Sequence, residues 1–179
     1  VEPDIAIFAK ALGNGYAISA CIGRKKFMQA AQKTFISSTF WTERIGSVAA
    51  LKTLEVMERE RSWEKITKIG SNISSQWEVL ANKYGLSIST WGLPSLSGYT
   101  FNSINAQAYK TFVTQEMLKK NYLAANSVYA CIDHKQKIID GYFEALDPVF
   151  STIQECEDGR NIYDLLESPV CHSGFSRLN

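Results

Sequence analysis

The sequence predicts an α/β protein, and three observations predict it. A short apolar run, residues 5–9, ends in Lys10 and opens at once into the glycine-punctuated stretch Gly13-Asn14-Gly15. Apolar residues then recur every three positions at Ile45, Val48, Leu51, Leu54 and Met57, close to the period of a helix. Further on, alternating runs at 86–91 and 99–103 lie between helical stripes, the pattern of a small α+β layer.

Taken in order, residues 5–9 form a short buried strand and 17–23 a second, small and apolar. Gly13-Asn14-Gly15 supplies the positive φ that turns the chain between them. Residues 24–32 make a short helix, and 34–40 a loop or strand end. Thr42 caps the next helix and Glu43 complements its dipole. Ala49 and Ala50 widen its apolar stripe, which predicts deep burial. Residues 55–61 are its solvated end. A domain boundary falls at Arg61-Ser62, which gives domains 1–61 and 62–179.

Ser62 caps a second long helix. Its face of Trp63, Ile66, Ile69, Ile73, Trp77 and Leu80 belongs to a core, and Gly85 follows its last turn. Residues 86–91 and 99–103 are strands joined through 92–98. Residues 108–119 are helical, with Tyr109, Phe112, Val113 and Met117 on one side. Residues 122–125 and 128–132 are strand-like. Asp133 caps the last helix and puts His134 in its first turn. That helix faces inward with Ile138, Ile139, Tyr142, Phe143, Leu146, Phe150 and Ile153. Pro148 either kinks it or restarts it with Asp147 as a local cap.

Composition narrows the function. With 179 residues, 45% hydrophobic, 21% charged and net charge +1, the chain offers no electrostatic case for nucleic acid or an anionic membrane. No apolar run approaches the roughly 20 residues of a membrane-spanning helix. Cys21, Cys131, Cys156 and Cys171 are scattered without a CxxC pair, which reads as buried, reduced thiols in a cytoplasmic protein rather than a disulfide framework or zinc site. His134 and His172 are the only histidines, too few for a ligand cluster. Position 1 is Val and the chain opens inside its first strand, so it reads as the C-terminal portion of a longer protein.

Lys10 is the candidate catalytic residue. Strand ends that open into glycine loops are where α/β proteins place reactive groups. Ala9, Ala11 and Leu12 would partly desolvate the amine, which favours its neutral, nucleophilic form. The chemistry is Schiff-base formation with a carbonyl, and pyridoxal 5'-phosphate is the commonest partner. Gly13 and Gly15 lack the spacing of a dinucleotide or P-loop motif. Glu43 and Arg44 either contact substrate or form a solvated first turn of helix.

Residues 3–16, with Lys10 at their centre, resemble the cofactor-lysine motif of class III aminotransferases, a group that includes glutamate-1-semialdehyde 2,1-aminomutase. Two later blocks are similar to the same family: Ser37-Ser38-Thr39-Phe40 with the alanine-rich run 47–51, and residues 117–123 with 133–143. The resemblance implies a fold-type-I pyridoxal-phosphate transferase: a C-terminal part of the large domain in 1–61 and the small α+β domain in 62–179. It implies that Lys10 holds the cofactor as a Schiff base, and that Thr39, with Ser38 as a weaker candidate, donates to the cofactor phosphate of a neighbouring subunit in a homodimer. The family's remaining cofactor contacts, a glycine-rich phosphate turn, a stacking aromatic ring and an aspartate, lie upstream of its lysine. Where the family has Gly-Asn-Pro after the threonine, this chain reads Trp41-Thr42-Glu43-Arg44-Ile45-Gly46. Three functions follow as alternatives: a transaminase working on an amino donor and a carbonyl acceptor, an aminomutase, or a non-catalytic folding and dimerisation unit.

Overall fold

A computed structural model describes residues 2–174. The chain divides into two compact units, residues 1–62 and 63–179.

Unit 1 begins with an antiparallel ribbon of β1 (Ile5–Phe8) and β2 (Ala20–Gly23), paired from Ile5 with Gly23 to Phe8 with Ala20. The second strand is shorter than the predicted 17–23, because residues 17–19 lie beyond the end of β1 and have no partner. The ribbon is not buried as expected. Ile7 is 75% exposed, since a two-stranded ribbon has no further strand to shield it. The predicted helix at 24–32 is α1 (Lys25–Met28) followed by a 3-10 turn, Gln29–Lys33.

The long helix α2 (Ile45–Glu60) starts later than expected. Thr42 does not cap it. The Glu43 N–H bonds the Phe40 carbonyl at 2.6 Å, which ties 40–43 into a turn and leaves Arg44 at the cap position with no side-chain bond. Its apolar stripe is not buried either: Leu51 is 69% and Val48 63% exposed, and only Ala50 on this helix is buried. The period specified the stripe correctly, but no other segment of unit 1 among the described residues covers it. Arg61 takes the left-handed conformation at φ 48° and ends the helix. Ser62 is therefore the first residue of α3 (Ser62–Lys83) rather than its cap.

Unit 2 is an α+β layer. The helix α3 leads into a three-stranded antiparallel sheet of β3 (Ile88–Leu93), β4 (Leu96–Phe101) and β5 (Ser127–Tyr129), with β4 central. The helices α4 (Ala106–Lys119) and α5 (Gln136–Glu157) complete it. Gly85 ends α3 as predicted. At φ 65° it lets the Leu86 N–H reach the Ala81 carbonyl and its own N–H reach that of Asn82, the paired bonds of a Schellman cap. The hairpin is tighter than expected, because Leu93 pairs with Leu96 and only Pro94 and Ser95 turn the chain.

The core follows the predicted stripes of α3, α4 and α5 with two exceptions, Trp63 on α3 and Ile138 on α5, which is 48% exposed because it lies in the first turn of its helix. Trp77 and Ile73 are buried but Trp63 is 47% exposed, so it is not a core residue. Val113, Met117, Leu146, Phe150 and Ile153 are all buried. Tyr99 and Phe101 alternate onto the same face of β4 and pack against them, with the Trp77 and Tyr99 ring centroids 4.8 Å apart.

Other expectations fail locally. Residues 122–125 form no strand, and β5 has three residues, because β4 offers it pairing only from Leu96 to Gly98. Asp133 does not cap α5. Lys135 occupies that position, and His134 sits ahead of the helix in a turn, accepting the Cys131 N–H on Nδ1 at 3.3 Å. Pro148 lies inside one continuous helix and starts no new one; Asp147 bonds Lys83 and Tyr84 instead of capping. Of the thiols only Cys156 is buried. Cys21 and Cys131 are exposed, one on the open ribbon and the other in the loop after β5.

Candidate functional site

Lys10 stands two residues beyond β1, at the first position of a 3-10 turn, Lys10–Leu12. Its carbonyl accepts the N–H groups of Gly13 (3.2 Å) and Asn14 (3.3 Å), which closes the turn. Lys10 itself adopts φ 51°. A left-handed non-glycine residue costs roughly 1 kcal/mol, and such conformations concentrate where side-chain placement matters. Nothing in the sequence signals it, because lysine has no preference for that region. The positive φ expected across Gly13-Asn14-Gly15 falls on Asn14 (46°) and Gly15 (107°), while Gly13 stays at −89°. The expected desolvation of Lys10 is absent. The residue is exposed, and among the described residues its amine has no hydrogen bond or ion pair.

Ser38 and Thr39 lie in the irregular loop between Thr34 and α2, and both are exposed. The Ser38 hydroxyl accepts the Phe40 N–H at 3.3 Å, which fixes the local turn. No hydrogen bond joins either residue to Lys10 among the described residues.

What the fold does assemble is a polar cleft of about 480 Å³. Ser19 comes to it from the segment before β2, Ser38, Phe40, Trp41 and Glu43 from the loop, and Ser47 from the first turn of α2. Gly46 makes this possible. A Cβ there would stand 2.8 Å from the Ala17 carbonyl oxygen, so only glycine lets residues 17–18 lie against the start of α2. Helix starts leave backbone N–H groups without intrahelical partners, and Gly46 and Ser47 of this one line the same cleft as Ser19 and Ser38. Glu43 is the ionisable residue of the lining, and among the described residues its carboxylate makes no ion pair. Arg44, weighed beside it as a substrate contact, does not line the cleft. The roles of Ser19, Ser47 and the two aromatic residues were not legible in the sequence. Ser19 and Ser47 lie far apart in the chain, and the glycine at the helix start was the one available hint.

Unit 2 contains a smaller cavity of about 140 Å³ with Trp77, Ile139 and Tyr142 in its walls and His134 beside them. Its lining is mostly apolar. His134 is occupied by the Cys131 backbone, and His172 is exposed.

A family model described as "Aminotransferase class-III" matches residues 1–112. The 3-aminobutyryl-CoA aminotransferase of Cloacimonas acidaminovorans (strain Evry) is 32% identical over 152 residues, 82% of this chain and 37% of that protein. The glutamate-1-semialdehyde 2,1-aminomutase of Methanocaldococcus jannaschii is 23% identical over 171 residues, 86% of this chain and 40% of that protein. Among solved structures, FumI of Sphingopyxis sp. MTA144 in its PLP internal aldimine form superposes with a TM-score of 0.80 at 21% identity, over 92% of this chain and 40% of that one. An S-selective transaminase from Arthrobacter sp. with alanine bound gives 0.73 at 21% identity, over 88% of this chain and 40% of that one. The chain thus spans about two fifths of the length of these relatives, and its fold is that of fold-type-I transaminases.

Proposed function

The chain belongs to the class-III aminotransferase family, and from that premise we propose that the whole protein is a transaminase with Lys10 as its catalytic lysine. It transfers an amino group from an amine donor to a carbonyl acceptor, in the cytoplasm and as a homodimer. Residues 1–61 belong to the large cofactor-binding domain, and 62–179 are the small C-terminal domain.

The family's cofactor is pyridoxal 5'-phosphate, and the residues present suit it. Lys10 offers a primary amine with no competing partner among the described residues. The loop hydroxyls and the start of α2 offer neutral donors to a phosphate. When bound, the cofactor supplies an aldehyde and an electron-withdrawing ring. Lys10 Nζ would hold that aldehyde and, once the substrate amine had displaced it, would be the base that takes the proton from the substrate Cα. Thr39 and Ser38 hydroxyls donate to the phosphate, Thr39 across the subunit boundary.

The observation that carries this reading is the exposed, unpaired Lys10 amine at the strand end, inside the segment the family model matches. Lys10→Ala in the whole protein should abolish both turnover and the absorbance of lysine-bound cofactor. Persistent turnover would overturn the assignment. Dependence on a keto-acid acceptor separates a transaminase from an aminomutase, which needs none.

A further inference from the structure

We propose that Glu43 is a specificity residue that holds a second, cationic amino group of the donor, and so selects diamines and related cationic amines over anionic donors. The inference rests on the transaminase reading for the identity of the donor, and on the cleft for the chemistry. In that cleft Glu43 carries the charge of the lining, while Phe40 and Trp41, 52% and 68% exposed, bring two aromatic rings. A carboxylate beside aromatic faces is a site for an ammonium group, since ring quadrupole and full charge attract the same cation. The carboxylate is available, because no lysine, arginine or histidine lines the cleft and Glu43 has no ion pair among the described residues. It is also held in place, since the 2.6 Å bond from its N–H to the Phe40 carbonyl closes a turn whose Phe40 N–H is anchored on Ser38. Ser38, the second of the two residues assigned to the phosphate, lines the same cleft as the acid. A second anion entering there meets Glu43, whereas a cation is drawn to it.

The alternative role for Glu43 is to complement the α2 dipole, which affects helix stability and has no influence on amine selection. Calorimetric titration of the cofactor-free protein with 1,4-diaminobutane and with butylamine separates the two. The diamine should bind about tenfold more tightly than the monoamine. Glu43→Gln should abolish that preference and Glu43→Asp should keep most of it. Equal affinities in the unaltered protein, or a preference that survives Glu43→Gln, would overturn the proposal. A second arm loads the whole protein with cofactor and follows its absorbance on mixing with each amine. If neither amine changes the spectrum, the transaminase reading fails while the calorimetry still decides the role of Glu43. If both do, the diamine-to-monoamine ratio of kcat/KM should fall about tenfold in Glu43→Gln through KM. An unchanged ratio would count against Glu43 alone.

Discussion

Trp77 donates its indole N–H to the Tyr142 hydroxyl at 2.9 Å, joining α3 to α5 inside the core of unit 2. Trp77 is 1% exposed, and burial pushes the Tyr142 hydroxyl pKa well up, so the phenol stays neutral. Tyr142→Phe strands the indole N–H and should cost about 1–3 kcal/mol. Tyr99 is the contrasting case: its hydroxyl is fully buried and has no partner among the described residues. Tyr99→Phe should be neutral or stabilising. Urea unfolding of the two variants checks both signs, and a similar loss for both would show that the bond from Trp77 is not what makes the Tyr142 hydroxyl matter.

The pair Lys83–Asp147, 2.5 Å apart, gives a pH-dependent link between α3 and α5. The bond from Lys83, aided by Tyr84, holds the Asp147 carboxyl below its usual range. The folded protein therefore binds this proton less readily than the unfolded chain does. Its contribution is present above about pH 4 and is lost as pH falls through the lowered folded value. Unaltered protein should exceed Asp147→Asn in urea midpoint at pH 7, and the gap should close below about pH 4. Both groups are solvent-accessible, so the gap should be small and should shrink with salt. A gap independent of pH would show that the charge is not its source.

Gly46→Ala pits helix propensity against space. Alanine is favoured inside a helix by up to about 1 kcal/mol. Here its Cβ would meet the Ala17 carbonyl oxygen at 2.8 Å and force backbone to move. The clash should win, with a net loss of about 1–3 kcal/mol. Thermal unfolding followed by circular dichroism reads the stability, and weaker cofactor binding by the whole protein reads the disturbed cleft. A stabilised variant would mean that residues 17–18 are free to withdraw from α2.

Thr39→Ala in the whole protein should weaken pyridoxal phosphate binding by about tenfold, the worth of one hydroxyl bond to an anion, with kcat within about twofold. Ser38→Ala should also loosen the loop, because Ser38 accepts the Phe40 N–H. Fluorescence titration of the cofactor-free protein measures both, and wild-type affinity in Thr39→Ala would remove that residue from the phosphate site.

Helix period, strand alternation and a left-handed stop are local properties of the chain, so the helices and the hairpin of unit 2, most of the residues that fill its core and the Gly85 cap were legible in the sequence by itself. The sequence also singled out Lys10 through its immediate neighbours. The tertiary structure decided what depends on partners distant in sequence. The α2 stripe is exposed, because periodicity names an apolar face but not the surface that would cover it. Lys10 is left-handed and solvated, although its flanking residues promised desolvation. The Trp77–Tyr142 bond spans 65 positions. The cleft at Glu43 exists because Gly46 admits the Ala17 backbone, a match of shape between two segments that no local pattern encodes.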